Sequence, residues 1–310
     1  MTTGWVFDCK RFAIHDGGGL RSTLFLKGCP LRCPWCHNPE GMARGQGLLH
    51  SARCIGCGTC LRVCPESALS VADSARDIRI DGSRCTLCGR CIDACPTSAL
   101  TFDAREISSE QAVAELLLDQ TFFEVSSGGV TLSGGEPLLQ PEFAIEVLTG
   151  CAQAGVSTAI ETCLAVPLQH VKAMARVTNE VFVDLKLADE RQHRELLGWS
   201  LEPVRRNLEY LTHIRKRGSL IVRVPLIPGF TATEANLSGI GKIVAELKRQ
   251  PPVELLNFNP YAQAKYRRLG RTWAFPPDSR RYSPQELAAF GQVLKSSGVE
   301  RVFDEHEGLV

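Results

Sequence analysis

Strands and helices alternate regularly over most of this sequence, and that alternation is its strongest constraint on the fold. Short apolar runs such as Val181–Val183 and Leu220–Leu226 predict buried strands, and segments of about 10–15 residues with helical periodicity separate them. This order is typical of βαβ units, which place their strands in a parallel sheet. With an earlier strand at Leu24–Leu26 we count about five or six units, so we expect an α/β fold with a partial (β/α)6 TIM-like barrel.

The other predicted elements follow from the same patterns. Strands are predicted at residues 4–14, 129–133, 157–162, 253–258 and 299–303. Helices are predicted at residues 109–118, 141–154, 168–176, 190–197, 204–217, 233–248 and 284–295. Residues 1–48 and 103–310 should form the two parts of the barrel, because a stretch of different character, residues 49–102, separates them.

Residues 49–102 contain a duplicated cysteine pattern. Both copies have the spacing Cys-x2-Cys-x2-Cys-x3-Cys-Pro, and Ser67-Ala68-Leu69 after the first copy matches Ser98-Ala99-Leu100 after the second. This is the spacing of bacterial ferredoxins, in which each of two [4Fe–4S] clusters takes its fourth cysteine from the other run. One cluster would then take Cys54, Cys57, Cys60 and Cys95, and the other Cys85, Cys88, Cys91 and Cys64.

Zinc sites are the alternative interpretation of these cysteines. Four-ligand zinc sites explain neither the third cysteine of each run nor the two Cys-Pro endings. We therefore expect residues 49–102 to be an inserted ferredoxin-like domain with two [4Fe–4S] clusters.

A third cysteine group, Cys29-x3-Cys33-x2-Cys36, follows the predicted strand at Leu24–Leu26, and no fourth cysteine completes the set at a suitable distance. Because [4Fe–4S] clusters normally take four cysteines, three thiolates leave one iron open to a ligand that is not protein. Folds with parallel strands tend to place their chemistry beyond the carboxyl ends of those strands. This loop is therefore the candidate reaction site.

Composition and charge argue against several other functions. Lys+Arg 35 against Asp+Glu 34 gives a net charge of +1, which disfavours a large nucleic-acid-binding surface or a polybasic membrane anchor. No apolar run reaches the roughly 18–20 residues of a membrane span, and the first residues lack signal-peptide features. We therefore expect a cytoplasmic protein without a membrane or nucleic-acid partner, and we expect a monomer.

Cysteine usage points to metal or redox chemistry. The 14 cysteines are too many for packing alone in a reducing compartment, where disulfides are rare. Cys9, Cys151 and Cys163 stand outside the three groups, and we interpret them as small buried hydrophobic residues.

Two further sequence features narrow the interpretation of the three-cysteine loop. Trp35 precedes the third cysteine, and Ser133-Gly134-Gly135-Glu136-Pro137 follows a later predicted strand. With these motifs the sequence resembles the radical S-adenosylmethionine (SAM) superfamily. The resemblance implies that the open iron is chelated by SAM, and that an electron from the cluster splits SAM into methionine and a 5′-deoxyadenosyl radical. Cys29, Cys33 and Cys36 would then be the catalytic residues.

The same resemblance implies a set of SAM contacts. The Gly134–Glu136 loop matches the family loop that meets the amino group of SAM, although an ordinary turn is the alternative. Asp184-Leu185-Lys186 matches a motif that lies against bound SAM, although a solvated strand end is the alternative. The predicted cofactor-binding residues are Trp35, His37, Gly134, Gly135, Glu136, Asp184, Leu185, Lys186 and Asn259.

The order of motifs narrows the resemblance further. His15-Asp16-Gly17, Leu24–Glu40, Gly129–Gln140 and Arg223–Gly229 are together similar to glycyl radical enzyme activating enzymes over nearly the whole chain. That implies three [4Fe–4S] clusters, SAM, flavodoxin or ferredoxin as electron donor, and hydrogen abstraction from a backbone glycine of a glycyl radical enzyme. The alternatives are a radical SAM enzyme for another peptide or small molecule, and an electron-transfer iron–sulfur protein.

Three positions depart from the family pattern. Gly18 replaces a proline of the family loop, which should loosen that loop and leaves the role of Asp16 open. Asn259 stands where relatives often have a histidine, so its side chain can hydrogen-bond but cannot titrate. Glu161 replaces an aspartate, and its polar role is only weakly indicated. The insert would either relay electrons or form a docking surface for the partner.

Overall fold

The computed structural model describes residues 1–214, 219–276 and 279–304 of the chain. Its strands are β1 (Thr3–Ala13), β2 (Arg21–Leu26), β3 (Leu48–His50), β4 (Leu69–Val71), β5 (Ile78–Ile80), β6 (Leu100–Phe102), β7 (Arg105–Ser108), β8 (Gly129–Gly134), β9 (Ser157–Thr162), β10 (Glu180–Asp184), β11 (Leu220–Pro225), β12 (Val253–Leu256) and β13 (Val302–Asp304). Its α-helices are α1 (Thr59–Val63), α2 (Arg90–Asp93), α3 (Ser109–Leu116), α4 (Gln120–Ser126), α5 (Pro141–Gln153), α6 (Leu168–Met174), α7 (Glu190–Leu197), α8 (Leu201–Ile214), α9 (Glu234–Ala245), α10 (Gln263–Arg268) and α11 (Pro284–Ser296).

Nine strands of the described ranges form one sheet in the order β13-β12-β11-β10-β9-β8-β2-β1-β7. The seven strands from β13 to β2 in this order pair in parallel, which confirms the predicted α/β fold with a mostly parallel sheet. Strand β1 pairs antiparallel with both β2 and β7. It can pair with β2 in this way because the short glycine-rich loop between the two strands reverses the chain direction. The parallel strands therefore present their carboxyl ends along one edge.

Helices cover the sheet because their apolar residues recur at helical spacing. Helix α8 buries Leu201, Val204, Leu208 and Leu211, and α3 begins at a capping box formed by Ser108 and Gln111. The helix predicted at residues 204–217 corresponds to α8, and its residues 215–217 lie outside the described residues. None of the described helices combines the length and apolarity that a membrane span requires.

Residues 48–102 fold into a small unit with its own core. Strand β3 pairs antiparallel with β6, and β4 pairs antiparallel with β5. The core contains Cys60, Leu69, Ile78, Cys91 and Leu100. The two sequence copies adopt matching backbone conformations, since Gly58 and Gly89 both precede a short helix in the left-handed region with φ of 68° and 76°.

Candidate active site

A cavity opens at the carboxyl ends of the parallel strands. It brings together all the predicted catalytic and cofactor-binding residues except Glu136 and Leu185: Cys29, Cys33, Trp35, Cys36, His37, Gly134, Gly135, Asp184, Lys186 and Asn259. Leu185 is fully buried in the hydrophobic core, and Glu136 lies behind the cavity wall. The convergence follows from the sheet, because these segments all follow neighbouring parallel strands.

Backbone hydrogen bonds hold the three-cysteine loop in place. Gly28 N donates to the carbonyl of Gly41 at 2.7 Å, and Cys36 N donates to that of Cys33 at 3.2 Å. Burial raises the pKa of Cys36 to about 11 and raises that of Cys33 as well. A thiol binds metal as a thiolate, so a positive charge beside these sulfurs favours the ligating form.

Lys186 provides that charge. Its Nζ lies 2.6 Å from Asp184 Oδ2, and its side chain is only 13% exposed. Burial alone would lower the pKa of Lys186, but Asp184 and the neighbouring Cys33 and Cys163 outweigh it and raise the pKa. The lysine is therefore a protonated cation on the cavity wall.

The glycines after β8 fit the backbone of the cysteine loop. A Cβ atom on Gly135 would lie 2.2 Å from the carbonyl oxygen of Gly28 and 2.6 Å from that of Gly41. Gly134 has a φ of +113°, which side chains rarely tolerate. The close packing of the two loops and the backbone conformation thus explain why residues 134 and 135 are glycines, independently of any contact with a ligand.

Glu136 connects the loop after β8 to the end of β9 through hydrogen bonds. Its fully buried carboxylate accepts hydrogen bonds from Leu138 N at 3.0 Å, Thr162 Oγ1 at 2.8 Å and Cys163 N at 2.8 Å. The Cys163 thiol also donates to it at 3.1 Å. Burial raises the pKa of Glu136, and these donors oppose that effect. The side chain therefore positions the loop that carries Gly134 and Gly135.

Cys163 is one of the residues that sequence interpretation missed. It is buried, as expected, but it also lines the cavity. Of the other isolated cysteines, Cys151 is fully buried as expected, whereas Cys9 is only partly buried.

A buried ion-pair network was also missed. Arg223 Nε lies 2.7 Å from Glu254 Oε2, its guanidinium pairs with Glu161, and its Nη2 donates to the carbonyl of His15 at 2.7 Å. The guanidinium also lies 4.0 Å above the ring of Phe182. Burial alone would lower the pKa of Arg223, but both carboxylates raise it, so the arginine stays charged.

The glycine-rich loop before β2 is held by hydrogen bonds despite the missing proline. Thr23 donates to the Asp16 carboxylate at 2.6 Å, and Thr131 donates to the Asp16 carbonyl at 2.7 Å. Arg21 and Glu180 bond the carbonyl and the amide of Gly18 at 3.3 and 3.4 Å. With these contacts in place, Asp16 lines the cavity.

Comparison with known proteins decides the family. Residues 23–237 match the Radical SAM superfamily. The chain is 37% identical to the benzylsuccinate synthase activating enzyme of Thauera aromatica, over 95% of this chain and 90% of that protein. It is 36% identical to the pyruvate formate-lyase 2-activating enzyme of Escherichia coli strain K12, with the same coverages. It is 36% identical to the choline trimethylamine-lyase activating enzyme of Oleidesulfovibrio alaskensis, over 87% of this chain and 88% of that protein.

This chain is a glycyl radical enzyme activating enzyme of the radical SAM superfamily. The family uses a [4Fe–4S] cluster and SAM, and the cavity fits both. Three thiols face one space beside the Lys186 cation. Trp35 Nε1, in the same lining, is buried and has no hydrogen-bond partner among the described residues. A buried donor without a partner suits a ligand that carries acceptors.

Residues 48–102 of this activating enzyme contain two smaller cavities. Cys54, Cys57, Cys60 and Cys95 line the first, and Cys64, Cys85, Cys88 and Cys91 line the second. The grouping is the one that the ferredoxin spacing predicts, with the last cysteine of each run in the other group. Within the described ranges, no three His, Cys, Asp or Glu side chains converge as they would around a single metal ion.

Proposed function

We propose that this activating enzyme binds a [4Fe–4S] cluster through Cys29, Cys33 and Cys36, binds SAM beside it, and generates a glycyl radical on a partner glycyl radical enzyme. The observation that carries the proposal is that these three cysteines, the Gly134–Gly135 loop and Lys186 line one cavity. When bound, the cluster and SAM together supply a 5′-deoxyadenosyl radical that removes a hydrogen atom from a glycine Cα.

The protein's own residues would bind and orient these groups. Lys186, held by Asp184, offers a cation to a carboxylate or ribose oxygen of SAM. Asn259 lines the same cavity, and its Oδ1 accepts from Tyr261 N at 3.0 Å, which leaves its amide hydrogens for a ligand. Trp35 and His37 complete the proposed SAM contacts, whereas Glu136 and Leu185 would act only through the loops that they support.

We propose that Asp16 meets the partner's glycine segment. Asp16 lines the cavity, Thr23 donates a hydrogen bond to its carboxylate, and Thr131 donates one to its backbone carbonyl. A carboxylate accepts hydrogen bonds well from backbone N–H groups, which a polypeptide entering the cavity must satisfy. Arg223 and Glu161 support this arrangement through the bond to the carbonyl of His15.

Residues 49–102 would form a ferredoxin-like domain with two [4Fe–4S] clusters, inserted between residues 1–48 and 103–310 of a partial (β/α)6 barrel. Support comes from the two cysteine-lined cavities and from the matching backbone of the two sequence copies. We propose that these clusters pass electrons from flavodoxin or ferredoxin to the cluster in the active site. The enzyme would then act as a monomer that holds three clusters.

The names of the relatives support the class of partner. They are activating enzymes for benzylsuccinate synthase, pyruvate formate-lyase 2 and choline trimethylamine-lyase. The partner proposed here is an enzyme of that glycyl radical class, and candidates are the products of neighbouring genes.

Substitution of Cys33 tests the proposal. Cys33→Ala removes one ligand of the proposed catalytic cluster, so we expect no 5′-deoxyadenosine when the protein is incubated anaerobically with SAM and a reductant, while the insert keeps its iron. Cys151→Ala is the matched control, since Cys151 is fully buried away from the cavity, and it should form product at the parent rate. An unchanged cleavage rate in Cys33→Ala would refute the site.

Two further outcomes separate the alternatives. A parent protein that forms no 5′-deoxyadenosine would point to an electron-transfer protein. A parent protein that cleaves SAM but gives no glycine-centred EPR signal on any candidate partner would point to another peptide or a small molecule as substrate.

A further inference from the structure

One histidine in the insert faces a cysteine-lined cavity without a partner. His50 ends strand β3, where it pairs with Leu100 of β6. Its Nε2 is buried and makes no hydrogen bond to any residue of the described ranges. The same side chain lines the cavity that contains Cys54, Cys57, Cys60 and Cys95. Ser51 Oγ is also buried and unpaired, but Ser51 does not line that cavity.

The other cysteine-lined cavity has no equivalent of His50. The residue at the corresponding position before Cys85 is Asp81, which lies outside the cavity and binds Ser83 Oγ at 2.6 Å. Leu48, Leu69, Leu87 and Phe102 form much of that lining. The two halves of the insert have identical cysteine spacing but therefore differ in the donors that they present to a bound group.

The chemistry of the cavity decides the role of the buried nitrogen. Thiolates and the sulfides of a cluster accept hydrogen bonds and cannot donate them. An imidazole in such surroundings is satisfied only when Nε2 carries a hydrogen, which is possible in its neutral and its charged form. Hydrogen bonds to cluster sulfurs stabilise the more negative, reduced state and so raise the reduction potential.

We infer that His50 donates a hydrogen bond from Nε2 to a sulfur of the cluster held by Cys54, Cys57, Cys60 and Cys95, and thereby gives that cluster a higher reduction potential than its neighbour. The inference rests on the proposed two-cluster function of the insert. It makes the two clusters unequal, so that an electron shared between them resides mainly on the one beside His50.

The test uses the full chain with Cys29, Cys33 and Cys36 replaced by alanine, so that only insert clusters contribute to the spectra. The protein is reconstituted anaerobically with iron and sulfide, and both insert potentials are measured by EPR-monitored redox titration. In this background His50→Phe keeps a ring but removes the donor, and His50→Gln keeps an N–H donor. His213→Phe is the control, since His213 is exposed on α8 and bonds only the carbonyl of Glu209 in the described structure.

We expect His50→Phe to lower the ratio of reduced to oxidised cluster about tenfold for one cluster at fixed solution potential, which equals about 59 mV for one electron. The other cluster should not move, His50→Gln should restore part of the shift, and His213→Phe should match the parent. The backbone amides of Gly56 and Ala99 donate to Cys54 Sγ and Cys95 Sγ. Pulsed EPR of the parent in D2O should therefore show, beyond these amide protons, one further exchangeable proton coupled to the reduced cluster, and His50→Phe should lack it.

Other outcomes overturn the inference in distinguishable ways. If the parent binds no iron in the insert, both the proposed insert function and the role of His50 are wrong. If both clusters form but His50→Phe leaves their potentials and the exchangeable coupling unchanged, the two-cluster function is retained and the proposed hydrogen bond from His50 is wrong. If His50→Phe fails to fold, the parent coupling in D2O decides, since its absence contradicts the donor.

Discussion

Arg223 links three parts of the cavity wall, and replacing it with methionine should destabilise the fold strongly. Its guanidinium bonds Glu161 on β9, Glu254 on β12 and the carbonyl of His15, and its side chain is only 6% exposed. Methionine fills much of the same space but leaves two buried carboxylates without their cation. Breaking a buried pair in this way costs about 3–5 kcal/mol, which corresponds to a fall in Tm of about 5–8 °C for a chain of 310 residues.

The assay is thermal unfolding followed by far-UV circular dichroism, under anaerobic conditions and at one scan rate. Adding Glu161→Gln to Arg223→Met should recover part of the loss, because it removes one of the unpaired charges. Arg205→Met is the control, since Arg205 forms an exposed pair with Glu246 at 3.2 Å and should cost no more than about 1 kcal/mol. A Tm for Arg223→Met within about 2 °C of the control would refute the reasoning.

Two further predictions concern the cavity loops and the core. Gly135→Ala should weaken SAM binding about tenfold in equilibrium dialysis, because overpacking against Gly28 and Gly41 forces the two loops apart. Gly82→Ala is the control and should bind SAM like the parent, since no atom lies within 4 Å of a Cβ at that position. Equal SAM affinities of Gly135→Ala and the parent would contradict this reasoning. Burial raises the pKa of Cys151 to about 12, so iodoacetamide should modify Cys151 only after denaturation, and its modification in the native protein, detected by mass spectrometry, would show that the core is open.

The sheet was predictable because its strands are buried on both faces. Runs such as Leu220–Pro225 are apolar enough to be recognised without any partner, and their order with the helices fixes a parallel arrangement. Helix α4 was not predicted, since it buries Phe123 but leaves Phe122 and Val125 exposed, and so lacks a clear helical pattern of apolar residues. The antiparallel strand β7 was missed because it is short and pairs with a distant segment, β1.

The candidate site was predictable where it depends on sequence-local motifs and on the common edge of the strands. Cys29, Gly135 and Lys186 meet in the cavity for that reason. Cys163 was missed because its contact with Glu136 exists only once two strands are aligned in register. Arg223 did carry a signal, since a charge inside the apolar run from Val222 to Val224 must find buried partners.

The two ends of residues 48–102 lie close together, which bears on how this part of the chain could be gained or lost in evolution. The amide of Asp103 bonds the carbonyl of Gly47 at 2.9 Å, and Lys27 anchors the Asp103 side chain at 2.6 Å. The chain thus leaves the large sheet and returns to it through adjacent residues, in a two-stranded stem. Because the two ends of residues 48–102 lie side by side, we expect that a tight turn could replace this unit without moving any strand of the large sheet. Gain or loss of such a unit during evolution would then require no redesign of the sheet.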